Sequence, residues 1–208
     1  MAERVVLATA NPDKAREISA ALADHGLDLV PRPEDVPEVE ETGATLLANA
    51  RLKAQALAAA TGLAALADDT GLEVDALGGA PGVFSARYAG PEATYSDNVE
   101  HLLRAMAEAR RNARTARFRT VLVLSRPDGS EVVADGVVEG VIADAPRGTN
   151  GFGYDPVFVP AGGTGRTFAE MTLAEKQAIS HRGRALRAMA ARLRESVLDP
   201  HEGGTGAP

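Results

Sequence analysis

Short apolar runs alternate along this chain with longer segments whose apolar residues recur at helical spacing. Residues 4–9, built on Val5, Val6 and Leu7, read as a buried first strand. Asn11 has the short polar side chain of an N-cap, and Pro12 suits the first helical position. The helix predicted over residues 13–23 has Ile18, Ala21 and Leu22 on its apolar side and stops at His25-Gly26. Residues 27–30 read as a second strand, and the Pro-rich stretch 31–37 cannot be regular structure. A long helix is predicted over residues 42–60, packing through Leu46, Leu47, Leu52 and Leu57 and ending at Thr61-Gly62. The apolar run 63–67 reads as a strand that closes on Asp68-Asp69, followed by a turn at Thr70-Gly71.

In the second half, residues 88–94 read as loop. Asp97 with Glu100 gives a capping-box pattern for a helix to about Arg111. Residues 118–125 and 131–138 are predicted as a hairpin around Pro127-Asp128-Gly129, with 137–143 extending or restarting the second strand beyond Gly140. Residues 157–159 form another short strand. Thr172 and Glu175 make a second capping box, heading one helix to about Val197 with a bend near Gly183. Ile179, Leu186 and Leu193 recur every seven residues on it, widened by Met189, Ala190 and Val197. Residues 201–208, H-E-G-G-T-G-A-P, read as a disordered tail. No repeat or linker divides the chain, so residues 1–200 are expected to form a single domain.

Composition narrows the possible functions. The 208 residues are 45% hydrophobic, with five Phe, three Tyr and no Trp, so the core is expected to be aliphatic. No apolar stretch is long enough for a membrane span, and the first residues lack the pattern of a signal peptide. The absence of Cys rules out disulfides and thiolate metal sites and fits a cytoplasmic location. The net charge of −7 argues against broad nucleic-acid binding. The basic run 110–119 is better explained as a solvated helix end. A small anion remains compatible, because a few lysines and a metal can invert the field inside a cleft.

Four constellations carry chemistry. T-A-N-P-D-K, residues 9–14, sits where a strand meets a helix N-terminus, whose free N–H groups and dipole favour an anion. It lacks the Walker A glycine pattern. Glu40 and Glu41 precede the next helix, with Lys53 midway along it, and Asp68 and Asp69 close the following strand. Such carboxylates suit Mg²⁺, which takes one or two of them together with phosphate oxygens. G-F-G-Y-D-P, residues 151–156, places aromatic rings between glycines, as a base-stacking wall would. K-Q-A-I-S-H-R, residues 176–182, groups Lys176, Ser180, His181 and Arg182 as donors. Each pattern also has an ordinary reading, namely a helix cap, a solvated turn or a basic helical surface.

In this order, together with E-E-T-G and the run A-D-D-T-G-L-E-V-D-A-L-G-G-A-P-G-V-F-S-A-R-Y, these segments resemble the inosine/xanthosine triphosphate pyrophosphatase family over residues 4–197. The resemblance implies an α/β fold with a long twisted mixed sheet flanked by helices, and two lobes around an active-site cleft. It also implies a Mg²⁺-dependent homodimer that hydrolyses ITP, dITP or XTP to the monophosphate and pyrophosphate, clearing deaminated purines from the nucleotide pool.

Matched position by position, Thr9, Ala10, Asn11, Pro12, Asp13 and Lys14 would grip the triphosphate with Lys53. Asp69 would be the catalytic acid and a metal ligand, Glu41 the second metal ligand with Glu40 as its substitute, and Thr70 a substrate contact. Phe152 would stack on the base, with Gly153, Tyr154 and Asp155 completing that wall. Lys176, His181 and Arg182 would face the substrate. Ala10 and Asp13 stand where the family usually has glycines, so the loop would lean on Asn11, Lys14 and backbone N–H groups. The residues alone leave the base open between Asp68 and Asp69; the resemblance favours Asp69. His181 and Arg182 would donate to the oxygen at C6 of hypoxanthine or xanthine and be left unmatched against adenine, at about 1–3 kcal/mol. Two alternatives are a pyrophosphatase for modified pyrimidine triphosphates and a nucleotide-binding module without catalysis.

Overall fold

The computed structural model describes residues 2–9, 11–22, 26–109 and 113–198, with backbone alone for 196–198. Its frame is one mixed sheet. Strand β1 (Glu3–Leu7) pairs in parallel with β2 (Leu27–Val30) and with β3 (Ala64–Val74). The two-residue β4 (Pro81–Gly82) and the long β5 (Thr115–Ser125) both run antiparallel to β3. Strand β6 (Glu131–Ile142) pairs with β5, and β7 (Phe158–Pro160) with β6, giving the order β2-β1-β3-β5-β6-β7.

One face of the sheet is buried along β5 and β6, the other only in part, since Arg119, Asp135, Glu139 and Val141 of that second face are exposed. The period of two along each strand decides which side chain goes where. Val5, Leu7, Leu66, Leu122 and Leu124 pack on one face beneath α1 (Pro12–Leu22) and α5 (His181–Leu198). Val6, Ala65, Ala67, Val121 and Val123 point to the other face, where α2 (Leu46–Thr61) lies. Ala50, Ala54 and Ala58 bring the middle of α2 close to the sheet, with Leu46 and Leu57 buried on either side of them. A second apolar cluster lies farther along the first face. It joins Leu72, Val74 and Phe118 to α3 (Tyr95–Ala105), Phe158 and Phe168. Between Leu66 of one cluster and Leu72 of the other, the same face of β3 carries Asp68 and Thr70. A polar gap therefore separates two apolar cores.

Several expectations need correction. β3 does not turn at Thr70-Gly71. It continues through Asp68, Asp69 and Thr70, which pair with Leu122, Val121 and Thr120 of β5. Gly71 serves close packing instead, since a Cβ there would stand 2.7 Å from the carbonyl oxygen of Gly82. α2 starts at Leu46, capped by the Thr45 hydroxyl, and its Leu52 is exposed rather than in the core. The capping box of α3 is Thr94 with Asp97, one turn earlier than expected, and the helix ends at Ala105. β6 runs unbroken through Gly140, and β7 begins one residue later than expected. Ala10, residues 23–25, residues 110–112 and the tail at 201–208 lie outside the described residues.

The final helix is also two helices. α4 (Leu173–Ile179) stops at Ser180, whose backbone is extended (φ −69°, ψ 161°), and α5 starts at His181. Ser180 serves both ends: its N–H donates to Lys176 O at 2.8 Å, and its hydroxyl accepts from Gly183 N at 3.1 Å. Gly183 is not the bend but the contact, because a Cβ there would fall 1.9 Å from Gln177 O. Gly183→Ala is expected to destabilise the protein by about 1–3 kcal/mol through forced backbone shifts, read as a lower urea midpoint; an unchanged midpoint would contradict this packing.

Candidate active site

The loop before α1 is organised by its own side chains. Thr9 Oγ1 accepts from Asn11 N at 3.1 Å. Asn11 Oδ1 accepts from Asp13 N at 2.9 Å and Lys14 N at 3.2 Å, the helix cap expected of an Asn at this position. One turn into the helix, Lys14 reaches Asp68 at 3.2 Å. Pro12 is exposed, and Asp13 pairs with Arg16 at 3.2 Å.

The alternation along β3 separates the two neighbouring acids. Asp68 points to the α1/α5 face, where its Oδ2 lies 3.2 Å from Lys14, 3.1 Å from Arg182 Nη2 and 3.2 Å from the Thr70 hydroxyl. Burial opposes its ionisation, but the charges of Lys14, Arg182 and Lys53 outweigh that cost and hold it well below the usual carboxylate range. Asp69 points to the α2 face. Lys53 Nζ donates to it at 2.9 Å and Asn49 Nδ2 at 3.4 Å. Burial, with the nearby charge of Glu41, pushes Asp69 up to about 6 against the pull of Lys53. Asp68 is therefore held as an anion, whereas the carboxyl of Asp69 is raised by its burial. This difference follows from which face of one strand each acid occupies.

Lys53 also donates to Glu41 at 2.7 Å, and Arg87 reaches the other oxygen of Glu41 at 3.0 Å. Glu41 is half-buried, which opposes its ionisation, yet the lysine charge and these hydrogen bonds lower it to about 2. One ammonium thus bridges two carboxylates from different elements. Glu40 is exposed and lines the adjoining cavity.

On the α1/α5 face, the 151–156 turn folds around a buried carboxylate. Asp155 Oδ2 accepts from Phe152 N at 2.8 Å and from Lys176 at 2.6 Å. Lys176 Nζ lies 4.7 Å from the centre of the Phe152 ring, and the Arg182 guanidinium 5.4 Å from it. Tyr154 is buried, its hydroxyl donating to Ser85 O at 2.9 Å. His181 stacks on Phe118 with centroids 4.5 Å apart. Full burial, followed by the charges of Arg182 and Lys176, drives its pKa well below the ordinary histidine value, so the ring is neutral. His181 Nδ1, Arg182 Nε and Asp68 Oδ1 are buried without a hydrogen-bond partner among the described residues.

Glu17 joins these groups and was not expected from the sequence. It is buried on α1, accepting from Lys176 at 2.8 Å and pairing with Arg182 Nη1. Its spacing of three from Lys14 and its place beside Ile18 on the buried side of the helix are the signals that could have shown it.

Two cavities meet at this network. The larger, about 550 Å³, is lined by Thr9, Asn11, Lys14, Arg32, Glu40, Glu41, Lys53 and Arg87. The smaller, about 90 Å³, is lined by Thr70, Tyr95, Phe118, Phe152 to Asp155, Lys176, His181 and Arg182. They share Asn11, Lys14 and Ala86. One is rich in cations and carboxylates, the other aromatic with buried donors, and the cap of α1 stands between them. Pro12 and Asp13 line neither cavity.

No group of three His, Cys, Asp or Glu side chains is preassembled for a metal among the described residues. The oxygen donors nevertheless fit a hard divalent cation. Asp69 and Glu41 already share one positive charge on Lys53, and two carboxylates with phosphate oxygens are a donor set that Mg²⁺ accepts.

The sequence profile of the Ham1 family matches residues 5–192. A dITP/XTP pyrophosphatase of Yersinia pseudotuberculosis is 52% identical over 93% of this chain and 100% of its own length. One from Thermus thermophilus is 54% identical over 89% of each chain. The solved structure of a HAM1 protein from Coxiella burnetii superposes with a TM-score of 0.85 at 44% identity, covering 93% of this chain and 99% of the other.

Proposed function

We propose that this chain, which belongs to the Ham1 family, hydrolyses non-standard purine nucleoside triphosphates such as dITP, ITP and XTP to the monophosphate and pyrophosphate. The observation that carries the reading is the pair of joined cavities. A triphosphate tail suits the side lined by Lys14, Lys53, Arg32 and Arg87, and a purine suits the side walled by Phe152. Mg²⁺ held by Asp69 and Glu41, with Glu40 at the rim, would neutralise phosphate charge.

The remaining work falls to side chains. Asp69 takes the proton of the attacking water. Lys14, Lys53 and the N–H groups opening α1 stabilise the departing pyrophosphate. Asp68 fixes Lys14 and Arg182 rather than accepting a proton. His181 and Arg182 present unsatisfied buried nitrogens to the base, Thr70 shares a hydrogen bond with Arg182 at 3.1 Å, and Glu17 holds Lys176 and Arg182 from behind. Residues 1–200 acting as one two-lobed unit, and a homodimer in the cytoplasm, complete the proposal; light scattering checks the dimer.

A panel of dITP, ITP, XTP, GTP, ATP, dUTP and modified pyrimidine triphosphates with Mg²⁺ tests the reading. Preference for the three deaminated purines is expected; preference for a pyrimidine would overturn it. The pH profile gives a separate check. Asp69 must be ionised to act, so log kcat/KM is expected to rise with unit slope below about pH 6 and to level above it. Saturating Mg²⁺ should move that limb to lower pH, because a bound cation opposes protonation. An acid limb absent at limiting Mg²⁺, or one that saturating Mg²⁺ does not move, would remove Asp69 from the role.

A further inference from the structure

Tyr95 is the first residue of α3 and stands at the mouth of the smaller cavity. The capping box of Thr94 and Asp97 fixes the turn that carries it. Its hydroxyl oxygen accepts from Asn11 Nδ2 at 2.9 Å, and its ring leans on Phe152 with centroids 5.8 Å apart and planes tilted by 39°. The residue is 44% exposed, so core packing does not require it. Asn11 Oδ1 is already committed to capping α1. Nδ2 is therefore what its side chain has left for a phosphate oxygen, and Tyr95 occupies it. A base held between two rings needs about 7 Å, twice the roughly 3.5 Å of close carbon contact. The present separation falls short of that.

On the reading of the site given above, we propose that Tyr95 is both the second aromatic face of the base slot and its latch. In the free protein it is tied to Asn11 and closes the slot against Phe152. When a phosphate tail takes Asn11 Nδ2, the phenol is released and its ring covers the base on the side away from Phe152. Tail and base binding are coupled through one hydrogen bond that spans the two cavities.

The test compares wild type, Tyr95→Phe and Tyr95→Ala, measuring kcat and KM for dITP and the binding of inorganic tripolyphosphate by calorimetry. Tyr95→Phe keeps the ring and loses the latch, so both ligands should bind about two- to tenfold more tightly. In Tyr95→Ala tripolyphosphate should still bind more tightly, while KM for dITP rises about fivefold to a hundredfold with kcat changed less. Opposite movement of the two ligands in one variant is not what a merely structural defect produces. If both constants shift in the same direction in Tyr95→Ala, or neither shifts in either variant, the proposal is overturned. If wild type releases no pyrophosphate from dITP, the catalytic reading fails instead, and tripolyphosphate binding still decides the latch.

Discussion

Asp69→Asn is expected to lower kcat for dITP by about 10²- to 10⁴-fold, the usual contribution of a positioned general base, while leaving the protein folded and at least as stable at pH 7. An amide matches the carboxylate in shape and can still accept from Lys53, which donates to Asp69 at 2.9 Å. It cannot take a proton from water. The stability expectation follows from the sign of the shift. The folded pKa of about 6 lies above the ordinary aspartate value of 3.8, so Asp69 stabilises the fold fully only below 3.8, and that contribution is lost as pH rises through 6. At pH 7 its ionised form is a net cost, which Asn removes. Steady-state kinetics and thermal melts on the same preparation check both halves. A variant with ordinary kcat would eliminate Asp69 as the base, and one with lost activity and a collapsed fold would leave the catalytic role without support.

Arg182→Leu is expected to destabilise the protein by about 3–5 kcal/mol, because it leaves buried carboxylates without their partner. Arg182 is 2% exposed and bridges Glu17 and Asp68 while donating to Thr70. Asp68 keeps Lys14 and Glu17 keeps Lys176, so the loss should stay short of complete unfolding. Arg182→Lys offers one ammonium in place of a guanidinium fork that spans two carboxylates, and should fall between. Urea unfolding measures these differences. In whatever fraction remains folded, discrimination of dITP from dATP should drop, since a donor facing the base is gone. Stability close to wild type in Arg182→Leu would mean that this network does not hold the two cores together.

Much of this site is legible in the sequence. The cap at Asn11, the aromatic turn at 151–156 and the polar run at 176–182 are local patterns carried by neighbours in sequence, and the structure brings them together. What stayed hidden depends on partners far away along the chain. Asp-Asp-Thr-Gly reads as a turn because each residue favours one, yet β5 pairs with that whole stretch and keeps it extended. Glu17 has no local pattern to mark it, because its partners Lys176 and Arg182 lie 159 and 165 positions away. The seven-residue spacing of Ile179, Leu186 and Leu193 suggested one helix. Ser180 breaks it, and the first of these residues packs in a different core from the other two. That break sets His181 and Arg182 in the first turn of α5, buried beside Phe118 and Asp68.

The most direct test of the account is to follow the phosphorus products of dITP with Mg²⁺ in ¹⁸O-labelled water. Attack on the α-phosphorus by water activated at Asp69 predicts labelled dIMP and one unlabelled pyrophosphate per turnover, with Asp69→Asn producing both about 10²- to 10⁴-fold more slowly. Orthophosphate as the first product, or label appearing in pyrophosphate, would contradict it.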